Sequence, residues 1–355
     1  MKFKQIISVI IISFFQLSSY AQNISMYVGT YTDGYSEGIY KLQFNLNTGV
    51  LNNLQLAAST QSPSFIAYSR NKKYLYAVNE SLEGSVSAYK IKENGQLKFL
   101  NKLKSNGKAP CHISLNRSGN KAVVSNYVGG NISIYNISRD GKLSEVSQIF
   151  DYNTTERKSH AHSAQFFRNE LFVADLGTNA LYQYKLKNEK YELVSPSIIP
   201  IIENLGPRHF TLTKNGQFIY VINEYGSSIT SVKKTENGFE QVDYDSTLND
   251  NYEGNNSCAD IHLSKNQLYL YGSNRGENSI VVFKRNKFDG TIKKIQSIST
   301  HGDWPRNFTL DPSGKFLLVA NQKSHNISVF KINLPTGKLT FLNSVKVPSP
   351  VCLLF

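Results

Sequence analysis

The chain has 355 residues and a formal net charge of +13, and 40% of its residues are hydrophobic and 12% aromatic. This composition is typical of a globular protein and excludes a disordered chain. The lysines are scattered and form no basic run that would follow a phosphate backbone, so the charge predicts a solvated surface and no nucleic-acid partner.

The first element in chain order is a predicted signal sequence over residues 1–21. Lys2 and Lys4 precede an apolar run over residues 6–15, which is too short to span a bilayer. Ser19 and Ala21 offer small side chains at the two positions that a signal peptidase reads. We expect a periplasmic or secreted mature chain of residues 22–355 that is not attached to a membrane; the alternative is a retained anchor.

A short pattern then recurs seven times: two to four apolar residues, a small residue, and usually Asn. It ends at Thr30, Asn79, Asn126, Asp175, Asn223, Asn274 and Asn321, with spacings of 49, 47, 49, 48, 51 and 47 residues. Seven anchors spread over the whole mature chain leave no room for a second domain. The sequence therefore predicts a single repeat domain.

Each repeat predicts a four-stranded antiparallel meander. An opening strand such as "RHFTLT" leads through a Gly/Asn turn to the anchor strand "FIYVIN". An alternating strand, a second turn such as "ENG" or "RDG", and a fourth strand follow. The anchor strands are apolar on both faces, so each sheet must be packed on both sides. The fold class is therefore all-β, a seven-bladed β-propeller.

The two ends of the chain predict how the ring closes. The first anchor strand, "MYVGTYT", has no opening strand before it, and the chain ends in "PSPVCLLF", which matches the opening strand "SPSFIAY". We expect the C-terminal segment to be the innermost strand of the first blade. A monomer is expected. Cys111, Cys258 and Cys352 each lie at the start of a similar strand and are predicted to be small buried side chains. Their odd count excludes full pairing within one chain.

Three columns of residues should meet at one mouth of the central channel, where opening strands begin and anchor strands end. Relative to the Pro that usually begins the opening strand, the column one residue later holds Ser64, Cys111, Ala161, Arg208, Ala259, Arg306 and Val351. The next column holds Phe65, His112, His162, His209, Asp260, Asn307 and Cys352. Directly after the anchors stand Tyr31, Glu80, Tyr127, Leu176, Glu224, Arg275 and Gln322. Unlike the core positions, these differ in chemistry from blade to blade, as a site for an asymmetric small molecule requires.

Each candidate also has a structural interpretation. The anchor Asn side chains could cap turns, and His112 and His209 could be polar fillers bonded to backbone. The arginines could form structural ion pairs within the mouth: Arg208, Arg275 and Arg306 with Glu80, Glu224 or Asp260. Two histidines in "HAH", His160 and His162, are weak support for a metal, and no metal is predicted. Trp304 could stack on a ligand or pack within its loop.

With these residues in place, the chain resembles the seven-bladed propeller lactonase family, which includes the bacterial propeller-type 6-phosphogluconolactonase and the fungal 3-carboxy-cis,cis-muconate lactonizing enzyme. The resemblance spans about residues 25–355 and is carried by "YVGTYT", "HAHS", "GPRHF", "YVINE", "GSNRG" and "WPRNFTLDPSGKFLLVAN". It implies a lactone hydrolase without a cofactor, acting on a small anionic sugar lactone.

The resemblance also implies a site. The histidine, two arginines and glutamate of the muconate enzyme fall on His160 (with His162 as a possible substitute), Arg208, Arg275 and Glu224. The arginines would bind an anionic group and stabilise an oxyanion, and the other two would transfer protons. His112, His162, His209 and Arg306 would be substrate contacts.

Two other functions stay open. The same fold could catalyse cycloisomerisation of a carboxylated muconate. A propeller that only binds a carbohydrate or a protein would instead show an exposed aromatic patch. The chain has no nucleotide-binding glycine loop, no G-x-S-x-G and no H-E-x-x-H, so chemistry would rest on acid/base groups and arginines.

Overall fold

The structure is a computed structural model that describes residues 23–199 and 201–355. Its first fourteen strands are β1 (Asn23–Thr30), β2 (Gly38–Asn45), β3 (Leu51–Ser59), β4 (Ile66–Tyr68), β5 (Tyr74–Asn79), β6 (Ser85–Ile91), β7 (Leu97–Lys104), β8 (Pro110–Leu115), β9 (Lys121–Asn126), β10 (Asn131–Ile137), β11 (Leu143–Asp151), β12 (Ala161–Phe167), β13 (Glu170–Asp175) and β14 (Ala180–Lys187). The others are β15 (Lys190–Ile199), β16 (Pro207–Leu212), β17 (Phe218–Asn223), β18 (Ser228–Thr235), β19 (Gly238–Ser246), β20 (Ser257–Leu263), β21 (Tyr269–Arg275), β22 (Ser279–Arg285), β23 (Ile292–Ser299), β24 (Pro305–Leu310), β25 (Phe316–Asn321), β26 (Asn326–Ile332), β27 (Leu339–Lys346) and β28 (Pro350–Leu354).

These strands form seven four-stranded antiparallel sheets within the described residues, the blades of a β-propeller. Blade 1 has the order β28-β1-β2-β3, and blades 2 to 7 take four consecutive strands each, beginning with β4–β7 and ending with β24–β27. Seven hydrophobic clusters fill the spaces between successive blades, including the space between blades 7 and 1. Both faces of each sheet are therefore buried, which is why the anchor strands are apolar throughout.

The ring closes as predicted. β28 pairs antiparallel with β1, with Val28 opposite Leu353 and Gly29 opposite Cys352. Val351, Cys352 and Leu353 are buried, and Leu353 belongs to the cluster between blades 1 and 7. The last strand of the chain thus completes the first blade and joins it to the last.

A recurring hydrogen bond ties each of several blades to the next one. Tyrosines in the anchor strands donate through their hydroxyls to carbonyl oxygens of glycines in the turn between the third and fourth strands of the following blade. The pairs are Tyr27 to Gly95 (2.6 Å), Tyr76 to Gly141, Tyr220 to Gly290 and Tyr271 to Gly337 (3.0 Å each). These glycines have φ between +71° and +85°, a conformation that a side chain strains. The turn glycines and the anchor-strand tyrosines therefore together hold neighbouring blades in contact.

The anchor side chains hold connections between strands, as their structural interpretation predicted. Asn79 Nδ2 donates to Gln61 O (2.6 Å), and Asn274 Nδ2 donates to Thr247 O (3.0 Å). Asp175 replaces Asn in blade 4 and accepts from the backbone N–H groups of Gly177 (3.0 Å) and Thr178 (3.1 Å). A carboxylate fits there because every partner is a donor.

The three cysteines are free and buried, as expected. The signal sequence predicted for residues 1–21 lies outside the described residues. Among the residues that the structure describes, no helix is long and apolar enough to cross a membrane.

Ring closure predicts that replacing Leu353 by Ala lowers the free energy of unfolding by about 2–5 kcal/mol, because it opens a cavity between the first and last blades. Leu342→Ala on the outer strand β27, where the side chain is 42% exposed, should change it by less than about 0.5 kcal/mol. Truncation after Val347, which removes β28, should lower the free energy of unfolding more than either substitution does. Denaturant unfolding measures all three, and equal stability of the two substituted proteins would contradict closure by β28.

Candidate functional site

A shared irregularity at the start of the inner strands turns the column residues toward the channel. The pairing of the opening strand with the anchor strand shifts register between Pro110 and His112 in blade 3, and between Pro207 and His209 in blade 5. Blades 6 and 7 shift at the matching positions. A β-bulge re-aims the side chains beside it. Successive column residues therefore leave the normal alternation and converge near the axis.

In blade 4 the shift falls between Ala161 and Ser163, and Ala161 pairs with the anchor Asp175 as Pro110 and Pro207 pair with theirs. The predicted columns are therefore wrong by one residue in blade 4, because its turn between the opening and anchor strands is shorter.

Two arginines share one carboxylate at this mouth. Nε of Arg208 and Nη2 of Arg275 each lie 2.9 Å from Oε2 of Glu224. The arginine side chains are 2% and 5% exposed and that of Glu224 is 15% exposed. The structural ion-pair interpretation is therefore correct for these three residues. Two guanidiniums on one carboxylate still leave one positive charge uncompensated.

Backbone carbonyls of blade 6 fix both guanidiniums. Arg208 Nη1 donates to Ala259 O at 2.5 Å, and Arg275 Nη2 donates to Cys258 O at 2.9 Å. Arg275 Nε donates to Ser257 O at 3.2 Å. Arg208 comes from β16, Glu224 follows β17, and Arg275 ends β21, so the cluster joins blades 5 and 6.

Charge within this cluster sets its protonation. Burial alone would raise the pKa of Glu224, but Arg275 and Arg208 outweigh burial and hold that pKa below its usual range. Burial lowers the pKa of Arg275, and the neighbouring Arg208 lowers it further. Glu224 is therefore an ionised carboxylate, and an anion bound beside the arginines would favour their charged forms.

A second charged group lies across the mouth. The guanidinium carbon of Arg306 lies 5.2 Å from the ring centroid of Tyr31, whose hydroxyl donates to Glu80 Oε2 at 2.9 Å. Arg306 is partly exposed, and nearby Tyr31, Glu80 and Glu224 outweigh its burial and raise its pKa. Arg306 thus adds a further cation to the same mouth.

Three histidines form a layer on the axis beside these charges. The rings of His112 and His162 lie 5.6 and 5.2 Å from the ring of His209, and the ring of Phe65 lies 6.0 Å from it. Burial, together with the positive charges of this mouth, holds the pKa of His112 and His162 well below the usual range. His112 Nδ1 accepts from Ala164 N at 3.4 Å, so the backbone-bonded interpretation holds for His112.

His160 stands apart from the arginine cluster. Its Nδ1 donates to Tyr127 O at 3.0 Å, and its ring stacks on the Tyr127 ring at 4.5 Å. His162 contacts the same Tyr127 ring at 5.4 Å. Within residues 23–199 and 201–355, no hydrogen bond joins His160 to Glu224, Arg208 or Arg275. Tyr127 therefore links His160 to the histidine layer.

The sequence alone does not identify the carboxylate that positions His209. The interpretation of His209 as a backbone-bonded filler is wrong, because its Nδ1 lies 2.8 Å from Oδ1 of Asp260. Oδ2 of Asp260 lies 3.1 Å from His262 Nε2 and 2.5 Å from Asn307 Nδ2. Asp260 occupies the same column as His209, one blade later. Their neighbouring places in that column are the sequence signal that could have indicated the contact. The sequence predicts Asp260 only as a possible partner of an arginine, but Arg208 and Arg275 pair with Glu224 instead.

Two remaining predictions concern Trp304 and a metal. The Trp304 ring lies 3.3 Å from Lys323 Nζ and 5.4 Å from the guanidinium carbon of Arg275, so it packs on cations of its own chain. In the part of the chain that the structure describes, no group of three or more His, Cys, Asp or Glu side chains is arranged to hold a metal ion.

Arginines, a carboxylate and histidines that converge on one channel mouth of a seven-bladed ring are the arrangement expected of a propeller with a small-molecule site. Residues 25–355 match the family described as "Lactonase, 7-bladed beta-propeller", and the chain belongs to that family.

Named relatives agree with this assignment. A 6-phosphogluconolactonase of Bacillus subtilis (strain 168) is 34% identical over 342 residues, which cover 93% of this chain and 97% of that protein. A 6-phosphogluconolactonase of Formosa agariphila is 36% identical and covers 88% of this chain and 94% of that protein. The solved structure of a periplasmic gluconolactonase from Pseudomonas aeruginosa has a TM-score of 0.87 and 27% identity, over 93% of this chain and 98% of that chain.

The shared carboxylate predicts that Glu224→Gln lowers the free energy of unfolding by about 3–5 kcal/mol at pH 7, because two buried guanidiniums lose their counter-ion. Glu192→Gln breaks an exposed pair with Lys187 and should cost less than about 1 kcal/mol. Denaturant unfolding measures both changes.

The difference in free energy of unfolding between the unchanged protein and Glu224→Gln should depend on pH. Because the folded-state pKa of Glu224 lies below the ordinary value of 4.5, its stabilisation is complete above that value and is lost as pH falls through the lowered folded-state pKa. An unchanged stability of Glu224→Gln at pH 7 would show that the arginines do not depend on this carboxylate.

Proposed function

We propose that this protein hydrolyses a small anionic sugar lactone at the channel mouth that holds Arg208, Glu224 and Arg275, as a 6-phosphogluconolactonase or a related gluconolactonase does. The observation that carries this proposal is the uncompensated positive charge of two arginines on one carboxylate. Membership of the lactonase family and the names of the relatives support it.

The arginines fit the demands of the reaction. Attack of water on a lactone carbonyl places negative charge on the carbonyl oxygen, and fixed donors aimed at that oxygen lower the barrier. Backbone carbonyls and Glu224 hold Arg208 and Arg275 in place before substrate arrives. We assign to them both the recognition of an anionic group and the stabilisation of the oxyanion.

The other predicted site residues position the arginines or bind the substrate. Glu224 is ionised and carries both guanidiniums on Oε2, so it suits positioning of the arginines more than donation of a proton. His160 commits its Nδ1 proton to Tyr127 O, which leaves Nε2 to accept a hydrogen bond from a substrate hydroxyl or from water. Arg306, beside the cavity that Arg208 also lines, adds attraction for an anion.

Arg208→Ala should lower kcat/KM for lactone hydrolysis by about 10²–10³-fold, because the oxyanion loses a preorganised donor. Arg70→Ala is the matched control, since Arg70 is an exposed arginine in the turn between β4 and β5, away from this mouth. Acid release by residues 22–355 is measured with 6-phosphogluconolactone and with gluconolactone, after subtraction of the spontaneous rate.

The pair of substrates separates two recognition modes. A preference for the phosphorylated lactone that Arg208→Ala removes would assign the phosphate to this cluster. A folded Arg208→Ala protein that is as active as the unchanged one would overturn the assignment. If neither lactone is hydrolysed and a carboxylated muconate shows a change in diene absorbance, the reaction is cycloisomerisation.

We also propose that the protein is exported, with cleavage near Gln22, on the three-part pattern of residues 1–21. Export would place the enzyme outside the cytosol, where the expected substrate is an anionic sugar lactone that carries a carboxylate in place of a phosphate. Fractionation of expressing cells and the intact mass of the purified protein test this. A cytosolic protein that retains residues 1–21 would contradict export.

A further inference from the structure

A small cavity lies on the channel axis beside the arginine cluster. Its volume is about 10 Å³, which is room for the centre of about one water molecule. All its lining residues come from the three columns of the mouth: Ser64, Phe65, Glu80, Cys111, Arg208, His209, Arg306, Asn307 and Val351. Six of these nine carry hydroxyl, carboxylate, guanidinium, imidazole or amide groups, so the cavity is polar enough to hold water.

Two of the lining side chains have a buried polar atom that needs a partner. Among the described residues, nothing forms a hydrogen bond with Nε2 of His209 or with Oγ of Ser64. His209 is 5% exposed and Ser64 is 4% exposed. Unpaired buried polar atoms are rare and costly in folded proteins. A single water in this cavity would satisfy such atoms, as buried waters commonly do.

Asp260 determines which nitrogen of His209 carries the proton. An ionised carboxylate can only accept, so Nδ1 of His209 donates to Oδ1 of Asp260 across 2.8 Å. Burial alone would raise the pKa of Asp260, but His262 and His209 hold it well below its usual range. Nε2 of His209 is therefore the bare nitrogen, and it is the atom with no partner.

The surroundings keep His209 neutral. Burial, followed by the charge of Arg208, lowers the pKa of His209 to about 4, although Asp260 acts in the opposite direction. The other titratable groups near this ring are His112 and His162 beside it, Glu80, Cys111 and Arg306 around the cavity, and His262 on the far oxygen of Asp260. A neutral imidazole with a free Nε2 can accept a proton at neutral pH.

We infer that this cavity binds the attacking water and that His209, positioned by Asp260, is the general base that activates it. The inference rests on the proposed lactone hydrolysis and adds a catalytic residue to it. His209 was predicted from the sequence only as a substrate contact, and Asp260 was not predicted as part of the site.

The step balances as follows. An O–H bond of the water breaks, its proton moves to Nε2 of His209, and the water oxygen bonds to the lactone carbonyl carbon. The carbonyl oxygen becomes an oxyanion held by Arg208 and Arg275. The bond between that carbon and the ring oxygen then breaks, and the ring oxygen takes the proton from Nε2 to become a hydroxyl. The product acid ionises, and His209 is neutral again.

His209→Gln tests the role of the base. We expect kcat to fall about 10²–10⁴-fold, the usual contribution of a general base, while the Kd of the product sugar acid changes less than about threefold, because Arg208 and Arg275 still bind it. Asp260→Asn should lower kcat with little change in KM. His301→Gln is the control, since His301 stacks on Phe341 of the outer strand β27 and should keep full activity.

The pH profile of the unchanged protein provides a second test that does not depend on the folding of any variant. Because the base must be unprotonated, kcat/KM should be level at neutral pH and fall as pH decreases through about 4. Where His209→Gln folds, its profile should also lack that decrease. Full kcat/KM down to pH 3 would overturn the inference.

The outcomes separate this inference from the proposed function. A His209→Gln protein with unchanged kcat and pH profile would overturn the inference, while lactone hydrolysis that depends on Arg208 would still stand. An unchanged protein that hydrolyses no lactone would overturn the proposed function itself, and the role of His209 with it.

Discussion

The pairing of β28 with β1 is the interaction on which the rest of the structure depends. Every blade is apolar on both faces, so none is stable without a neighbour on each side, and blade 7 finds its second neighbour only because the ring closes. Closure also fixes the seven inner strands around one axis. The bulges at the starts of those strands then aim side chains from different blades at one point. Function at the mouth is in this sense a consequence of closure.

Two layers with different electrostatics meet at that point. The outer layer is charged, with Arg208 and Arg275 on Glu224, and Arg306 beside Tyr31 and Glu80. The inner layer is a group of buried, neutral histidines. The positive charge of the outer layer helps to keep those histidines neutral. A nearby guanidinium raises the free energy of a protonated imidazole and so favours the neutral ring.

Asp260 is the exception in the inner layer, and its charge is compensated locally. His209, His262 and Asn307 surround its two oxygens, and the backbone N–H of Ile261 donates to Oδ1 at 2.9 Å. The same contacts that stabilise the carboxylate fix the tautomer of His209. One buried acid thus couples the packing of blades 5, 6 and 7 to the chemistry of the axis.

The fold could be predicted from the sequence because spacing, turn residues and two-faced apolar strands all depend on local composition. The site could be predicted as a set of columns, since comparing blades with one another shows which positions depart from the repeat. Side-chain pairings could not be predicted in the same way. Glu224 could serve Arg208, Arg275 or Arg306 equally well in the columns, and only the bulge geometry brings His209 to Asp260 across neighbouring blades.

The central claim is that an anionic lactone binds at the mouth formed by Arg208, Glu224 and Arg275. A crystal structure of residues 22–355 with the product sugar acid bound tests it most directly. The account predicts a carboxylate or phosphate of the product within hydrogen-bond distance of Arg208 or Arg275. Product bound only at another surface of the propeller, with these guanidiniums contacting protein atoms alone, would contradict the account.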